Sequence, residues 1–251
     1  MTAIRQLALP FPERSDYAAA DFLQAPSNAD ALAWLRRTAD WPDGRLVIWG
    51  EEGCGKSHLL TVWAAGRAAT VSQAPSLRGL PDLPRGDRIA IDDADATGDE
   101  AALLHLLNAA QENRVPVLMA ARSPPARWRL RLPDLASRVR AAAAVRILPA
   151  EEELLRPLLT QLLARRQIAV ARSVQDWLLL RLPRTPAAIR EAAARLDRAA
   201  LAGHTPVTRG LAARIVDDFA AGLSRDEDES SPDDRPAGDR PADSSASLAL
   251  L

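Results

Sequence analysis

The 251-residue sequence predicts an α/β domain with a parallel sheet, followed by a small all-α domain. Two observations predict this fold class. As far as Pro149, short apolar runs alternate with stretches of helical apolar spacing, which is typical of a parallel sheet covered by helices on both faces. After Pro149 the strand pattern ends and only helical spacing continues. The change of pattern therefore marks a domain boundary.

The first part of the chain contains five candidate strands. They are Leu46–Trp49, Ala69–Ser72, the apolar start of Arg88–Asp95, Val115–Ala120 and Ala143–Leu148. A helix is predicted over Glu100–Asn113, between the third and fourth strands.

Four helices are predicted after Pro149, from the stretches EEELLRPLLTQLLARRQ, SVQDWLLLRL, TPAAIREAAARLDRAALA and TRGLAARIVDDFAAG. Thr185 is a suitable N-cap residue, and the following Pro186 suits the first helical position. The sequence therefore predicts a four-helix domain at residues 150–222.

The net charge of -1 conceals an acidic tail. Residues 224–251 hold eight acidic residues and three arginines, whereas residues 1–223 have a net charge of +4. Because the tail is rich in Ser, Pro and Asp, we expect residues 223–251 to be disordered. The mild positive charge of the body is too weak to indicate nucleic-acid binding by itself.

Composition also excludes several classes of protein. No apolar run reaches the roughly 18 residues that span a bilayer, and the N-terminus has no signal-peptide pattern, so we expect a cytoplasmic protein without membrane contact. Cys54 is the single cysteine, which rules out an internal disulfide or a cysteine-based zinc site.

The first strand leads into the motif G-x-x-x-x-G-K-S. Gly50, Gly53 and Gly55 allow tight backbone turns that aim N–H groups at phosphate oxygens, at the N-terminus of the following helix. Lys56 can reach the β- and γ-phosphates, and Ser57 can bind Mg²⁺. The motif therefore predicts a nucleotide site with ADP or ATP and Mg²⁺.

Three further features belong to this loop. Lys56 is the only lysine among 32 basic residues, which indicates a position that requires lysine. Cys54 has two interpretations: a small residue that fills the loop, or a thiol activated by its surroundings. His58 follows the motif directly, and we include it in the cofactor-binding set.

Two acids follow the third strand in the stretch RIAIDDAD. Asp92 is predicted to lie beside Mg²⁺, and Asp93 to occupy the place of a water-activating acid. The alternative is that both carboxylates are solvated residues at a strand end.

A phosphate-loop domain with a helical lid resembles the AAA+ class. Within it, GEEGCGKSHLL resembles the replication initiator DnaA. The stretches SPPARWRLRLPDLASRV and LPRTPAAIREAAARLDRA resemble the DnaA-related inactivator family, Hda or HdaA. The resemblance covers residues 6 to about 220. It implies an AAA+ domain at residues 16–149 and a lid at residues 150–222.

The resemblance implies a regulator of DnaA. DnaA proteins continue past the lid into a helical domain that binds origin DNA, and we expect no such domain after Gly222 in this sequence. Arg138, in LPDLASR, matches the arginine finger that reaches a neighbouring subunit's γ-phosphate in this class. The alternative is that Arg138 is an ordinary surface arginine without a role in hydrolysis. Trp128 lies among arginines, which indicates either a contact with a partner or DNA, or a solvated face.

Two positions depart from the pattern of the family. Arg122 stands where DnaA-like proteins place an acidic sensor residue, and Ala187 aligns with the lid arginine that senses the γ-phosphate. Arg184 or Arg190 could replace that arginine. We therefore expect feeble ATPase activity, with ADP as a candidate structural ligand.

The N-terminal stretch QLALPF resembles the sliding-clamp-binding motif of Hda-type proteins. Its prolines disfavour a central strand. Gln6, Leu7, Leu9, Pro10 and Phe11 suit an extended peptide with apolar anchors. We expect residues 1–15 to bind the DNA polymerase III β sliding clamp, which would connect the protein to DNA indirectly.

Three functions remain open at this level. In the first, the protein docks on DnaA and promotes hydrolysis of its ATP to prevent re-initiation. In the second, it is an adaptor or loader in which nucleotide acts only as a conformational latch. In the third, disfavoured by the missing sensor residues, it is an ATPase that assembles into a homo-oligomeric ring.

Overall fold

The computed structural model describes residues 22–65, 69–79, 87–203 and 207–229. Five strands form one parallel sheet, and all five predicted strands are confirmed to within a few residues. They are β1 (Arg45–Trp49), β2 (Ala69–Gln73), β3 (Arg88–Asp92), β4 (Val117–Ala121) and β5 (Ala143–Arg146).

The strand order is β2-β3-β4-β1-β5, and every pair is parallel. Strand β1 lies between β4 and β5, with Leu46 opposite Leu118 on one side and Ala143 on the other. Because all strands run in the same direction, their carboxyl ends meet at one edge of the sheet and their amino ends at the other.

Four helices cover the two faces of this sheet, which explains why its central strands are apolar on both sides. They are α1 (Ala29–Arg36), α2 (Lys56–Ala64), α3 (Glu100–Glu112) and α4 (Pro133–Ala141). The face bearing Val47 packs against α3 and α4, and the face bearing Leu46 packs against α1 and α2.

The lid consists of the four helices that the sequence predicts. They are α5 (Glu152–Arg165), α6 (Arg172–Leu179), α7 (Pro186–Gly203) and α8 (Arg209–Glu229). Their apolar faces form a separate core. The Thr185 hydroxyl accepts a hydrogen bond from Ala188 N at 3.2 Å, which confirms its capping role. No helix in the described part of the chain is both long and apolar enough to cross a bilayer.

Two details differ from the sequence predictions. Helix α8 continues to Glu229, so residues 224–229 are helical although we expected the disordered tail to begin at residue 223. Extending an existing helix adds one hydrogen bond per residue and avoids the cost of nucleation. The rest of the tail and residues 1–15 lie outside the described residues.

Trp128 is the second difference, because its side chain is neither solvated nor available to a partner. It is 5% exposed and packs in the core beside α3 and α4. Its indole Nε1 donates to the Ser123 carbonyl at 2.8 Å. The arginines around it in the sequence conceal an internal anchor for the segment that leads into α4.

Helix α4 begins without a capping side chain of its own, and α3 supplies one instead. Both carboxylate oxygens of Glu100 accept from Arg131 N, at 3.0 and 2.9 Å, and one of them accepts from Leu132 N at 2.8 Å. A carboxylate at a helix N-terminus also opposes the positive end of the helix dipole. Glu100 therefore fixes the start of the helix that carries Arg138.

We predict that Glu100→Ala lowers the free energy of unfolding by about 1–2 kcal/mol, because two backbone donors lose a charged acceptor. Urea denaturation followed by circular dichroism measures the change. Glu112→Ala, an exposed acid at the other end of α3, is the control and should stay within about 0.5 kcal/mol of the parent protein. Equal losses for both variants would contradict the capping role.

Candidate functional site

The phosphate loop connects the carboxyl end of β1 to the first turn of α2. Gly53 and Gly55 adopt φ values of +75° and +105°, where glycine is the favoured residue. Gly55 directly precedes α2 as its N-cap. In the first turn of a helix the N–H groups have no acceptor within the helix, so those of Lys56, Ser57 and His58 can bind an anion.

Gly50 is required for a different reason, which is a close approach to β5. A Cβ atom at Gly50 would lie 2.6 Å from the Ile147 carbonyl oxygen and 3.0 Å from Cys54 Sγ. The adjoining backbone is tied by hydrogen bonds from Gly50 N to Ala121 O at 3.2 Å and from Ile147 N to Trp49 O at 2.8 Å. The loop therefore starts from a rigid point of the sheet.

Lys56 lies across the loop with only 7% of its surface exposed. Its Nζ donates to Gly50 O at 2.8 Å and to Glu51 O at 2.7 Å. The ammonium group thus stays inside the curve of the loop, where a β- or γ-phosphate would be cradled. The predicted Gly50–Ser57 motif is therefore assembled as one local structure.

The environment of Cys54 argues against an activated thiol. Burial raises its pKa, and this effect outweighs the nearby positive charge of Lys56, which lowers it. The Lys56 Nζ to Cys54 Sγ distance is 3.8 Å. The thiol therefore stays protonated at neutral pH and fills space in the loop.

The two predicted acids lie at the carboxyl edge of the sheet, the same edge as the loop. Asp92 ends β3 and is 7% exposed, and its Oδ1 accepts from Asp93 N at 3.1 Å. Asp93 is half-buried and adopts a left-handed φ of 49°. Strand β4 lies between β3 and β1, so Asp92 and the phosphate loop lie at the same edge of the sheet with one strand between them.

The end of β4 is tied to this edge by an acid that sequence reasoning missed. Asp95 Oδ2 accepts from Arg122 N at 2.9 Å and from Ser123 N at 3.1 Å. The Arg122 side chain then reaches the phosphate loop, with its Nη1 2.9 Å from Glu52 Oε2. Both side chains of that ion pair are exposed, so it contributes only about 0–1 kcal/mol.

The lid closes over the loop at Gly53. A Cβ at Gly53 would lie 3.0 Å from Ala187 Cβ and 3.3 Å from Thr185 Cβ, so small residues are needed on both sides. Ala187 has a short side chain, which allows the lid to approach the loop. Arg184 is exposed.

Arg190 is the lid arginine that reaches the loop-bearing helix. Its Nη2 donates to His58 Nδ1 at 2.5 Å, and His58 is 2% exposed. The Phe22 ring packs edge-on against His58, with 5.2 Å between ring centroids. His58 therefore joins the lid and the Phe22 segment to the first turn of α2.

Arg138 lies at the opposite edge of the sheet from all of these residues. It is in the second half of α4, which runs back toward the amino ends of the strands. Its Nη1 donates to Gln111 Oε1 at 2.9 Å, near the end of α3. A five-residue strand is about 16 Å long, so Arg138 does not lie beside the phosphate loop of its own chain.

In the described part of the chain, no three His, Cys, Asp or Glu side chains cluster closely enough to hold a metal ion by themselves. Ser57 and Asp92 are the residues that would take Mg²⁺. A donor set of one hydroxyl and one carboxylate fits this ion, because Mg²⁺ in nucleotide sites takes its other ligands from phosphates and water.

Together, the strand order, the phosphate loop and the helical lid define an AAA+ fold. No family model matches the sequence. Among solved structures, domain III of Thermotoga maritima DnaA superposes with a TM-score of 0.71 at 18% identity, over 83% of this chain and 99% of that one.

Two further structures share the fold. AMPPCP-bound DnaA from Aquifex aeolicus has a TM-score of 0.55 at 17% identity, over 70% of this chain and 63% of that one. The Thermotoga maritima RuvB branch migration motor has a TM-score of 0.54 at 17% identity, over 69% of this chain and 61% of that one. At these identities the likeness concerns the fold.

We predict that Cys54 reacts with iodoacetamide more slowly at pH 8 in the folded protein than in urea, because its raised pKa keeps the thiol protonated. As the pH is raised, the rate in the folded protein should increase only above the pKa of an ordinary thiol, because the pKa of Cys54 is raised. As the chain has a single cysteine, mass spectrometry reads this rate directly. A faster rate in the folded protein would support the alternative interpretation of Cys54 as a thiol activated by its surroundings.

Proposed function

We propose that this protein is a cytoplasmic regulator of chromosomal replication initiation. It binds ADP or ATP with Mg²⁺, docks on the DNA-loaded sliding clamp through residues 1–15, and promotes hydrolysis of the ATP bound to DnaA. The observation that carries the proposal is the separation of Arg138 from the phosphate loop of its own chain.

Nucleotide binding is supported by the geometry of the loop. Gly53 and Gly55 turn the backbone, Lys56 supplies a positive charge, and the start of α2 supplies N–H donors. Ser57 and Asp92 would hold Mg²⁺, which neutralises phosphate charge when bound. The AMPPCP complex of Aquifex aeolicus DnaA, a protein of the same fold, adds to this support.

Action in trans is supported by the position of Arg138. A guanidinium at the amino edge of the sheet is too far from the nucleotide site of its own chain to contact a phosphate there, but it is free to approach a phosphate bound to another subunit. In GTPases an arginine supplied in trans is worth about 10³–10⁵ in rate, because it stabilises the charge that develops during phosphoryl transfer. One side chain is therefore sufficient to accelerate the reaction of a partner.

DnaA is the proposed partner because it has the same fold and resembles the sequence in the phosphate-loop region. A head-to-tail contact places the Arg138 edge of one AAA+ domain against the phosphate-loop edge of another. Pairing between two copies of this chain uses the same edges, so a homo-oligomer is a competing assembly.

Weak hydrolysis by the protein itself is part of the proposal. Arg122 replaces an acidic sensor and pairs with Glu52, and Ala187 packs on Gly53 where the family has an arginine. Neither residue supplies the usual γ-phosphate contact of the family. Bound nucleotide then acts mainly on structure, through the contacts between the loop and the lid.

A second candidate function is an adaptor that recruits a replication protein without changing its hydrolysis. The lid contacts favour it, because Gly53 and His58 link the loop to Ala187 and Arg190 and could transmit nucleotide binding as a latch. The two functions differ in the role of Arg138, which the adaptor does not need.

We predict that Arg138→Ala abolishes stimulation of DnaA ATP hydrolysis in the presence of clamp-loaded DNA, returning the rate to that of DnaA alone. Hydrolysis of radiolabelled ATP bound to DnaA is the measurement. Arg140→Ala is the matched control, because Arg140 is an exposed arginine two residues later in α4; it should retain more than half of the stimulation.

Nucleotide affinity of Arg138→Ala should equal that of the parent protein, since the substitution is remote from the loop. Full stimulation by Arg138→Ala would contradict the trans mechanism. Partner binding without any stimulation by the parent protein would favour the adaptor.

We predict that replacing Gln6, Leu7 and Leu9 together with Ala abolishes binding to the β clamp, because the peptide loses its polar contact and two apolar anchors. Pro10 and Phe11 complete the proposed peptide. Surface plasmon resonance on immobilised clamp measures the loss, with nucleotide binding as the control for folding. An unchanged clamp affinity would remove the clamp from the proposal.

A further inference from the structure

One amide oxygen on α3 binds two arginines at the amino edge of the sheet. Gln111 Oε1 accepts from Arg45 Nη2 at 2.6 Å and from Arg138 Nη1 at 2.9 Å. These residues come from β1, α3 and α4, so the contact depends on the packing of three elements. Gln111 itself is exposed at the rim of a surface cavity of about 450 Å³.

Arg45 is the fixed member of this group. Its side chain is 2% exposed, and the nearest carboxylate oxygen, Asp43 Oδ2, is 3.8 Å from Nη1. Burial lowers the pKa of Arg45, with the charge of Asp43 opposing that effect. Arg45 is the first residue of β1, which lies inside the sheet, so it cannot move away from Gln111 without disturbing the sheet.

Arg138 is the member that can leave. Its side chain is 29% exposed, and its second restraint is an ion pair from Nε to Asp134 Oδ1 at 3.2 Å, on the same helix. That contact lacks hydrogen-bond geometry, because Nε has no hydrogen-bond partner within the described structure. Asp134 is 60% exposed, so water screens the attraction.

The two guanidinium groups also repel each other across the amide. The charge of Arg138 is one of the causes that lower the pKa of Arg45, because a neighbouring positive charge disfavours the protonated form of the buried guanidinium. A neutral amide acceptor does not cancel it. Arg138 is therefore held at a defined place on its own chain, but only weakly.

We propose that Gln111 is a positioning residue for Arg138. It holds the guanidinium against its own subunit until the phosphates of a partner offer a stronger negative charge, and its neutral amide keeps this hold weak enough to be released. The inference rests on the proposed function, because it concerns the arginine that acts on the partner's ATP.

Substitution of Gln111 by an acid tests this role. Gln111→Glu preserves the shape of the side chain and places a carboxylate between two guanidinium groups, so the docked position of Arg138 becomes more stable. We expect the maximal stimulated hydrolysis rate to fall roughly three- to tenfold, because a charge-assisted hydrogen bond of this strength holds Arg138 in its docked position for more of the time. The concentration for half-maximal stimulation should change less than about twofold, because the partner interface is retained.

Two variants serve as controls in the same hydrolysis assay. Asn113→Asp adds the same charge at the exposed end of α3, where the Asn113 side chain contacts Ala109 O and makes no hydrogen bond to Arg138, and it should leave the maximal rate unchanged. Asp134→Asn removes the other restraint and should not lower the maximal rate, in contrast to Gln111→Glu. The defect of Gln111→Glu relative to the parent protein should also shrink at high salt, since salt screens exposed charges.

A measurement on the isolated chain separates this inference from the proposed function. In urea unfolding, Gln111→Glu should lower the equilibrium constant for unfolding about threefold, and the part of that gain that comes from Arg138 should vanish in an Arg138→Ala background, while the part that comes from the buried Arg45 remains. If the parent protein does not stimulate DnaA, the proposed function fails and the positioning role fails with it. If the parent protein stimulates but Gln111→Glu matches it, or the two substitutions are additive in unfolding, only the positioning role is overturned.

Discussion

The common direction of the five strands is the constraint on which the rest of the molecule depends. The segments that leave β1, β3 and β4 at the carboxyl edge of the sheet bring Gly50, Asp92 and Arg122 to the region of the phosphate loop. Every helix that returns brings its last residues to the amino edge, where Gln111 and Arg138 meet. The sheet therefore separates the phosphate-loop groups from Arg138 by the length of a strand, about 16 Å, as the proposed action of Arg138 on a partner's nucleotide requires.

The phosphate loop is confined from two sides: a Cβ atom would clash at Gly50, 2.6 Å from the Ile147 carbonyl oxygen, and would be tightly packed at Gly53, 3.0 Å from Ala187 Cβ. At its start, Gly50 lies against the carbonyl of Ile147 at the end of β5; at its middle, Gly53 lies against Ala187 of the lid. A change in loop shape must therefore be accommodated by the lid, because the sheet side is rigid. The contact of His58 with Arg190 reinforces this coupling at the next turn.

Local patterns in the sequence predicted the strands, the lid helices and the phosphate loop, because each depends on residues that are neighbours along the chain. The contacts that organise the edges could not be predicted in this way. Gln111 and Arg138 are 27 residues apart, and Glu100 and Leu132 are 32 apart, with no pattern to pair them. Trp128 was wrongly placed for a related reason: arginines surround it in sequence, whereas its burial is decided by the core beneath it.

The contrast between Lys56 and Arg138 shows why this arginine-rich chain keeps one lysine. Inside the loop, a compact ammonium makes two short hydrogen bonds to the carbonyls of Gly50 and Glu51, a space in which a planar guanidinium has no matching geometry. At the amino edge the requirement is reversed. Arg138 can bind Gln111 with one nitrogen while others face Asp134 or a phosphate, because its donors are spread over a rigid fork. A lysine there would also have three donors, but all on one nitrogen, so it could not face Gln111 and Asp134 with separate nitrogens as the arginine fork does.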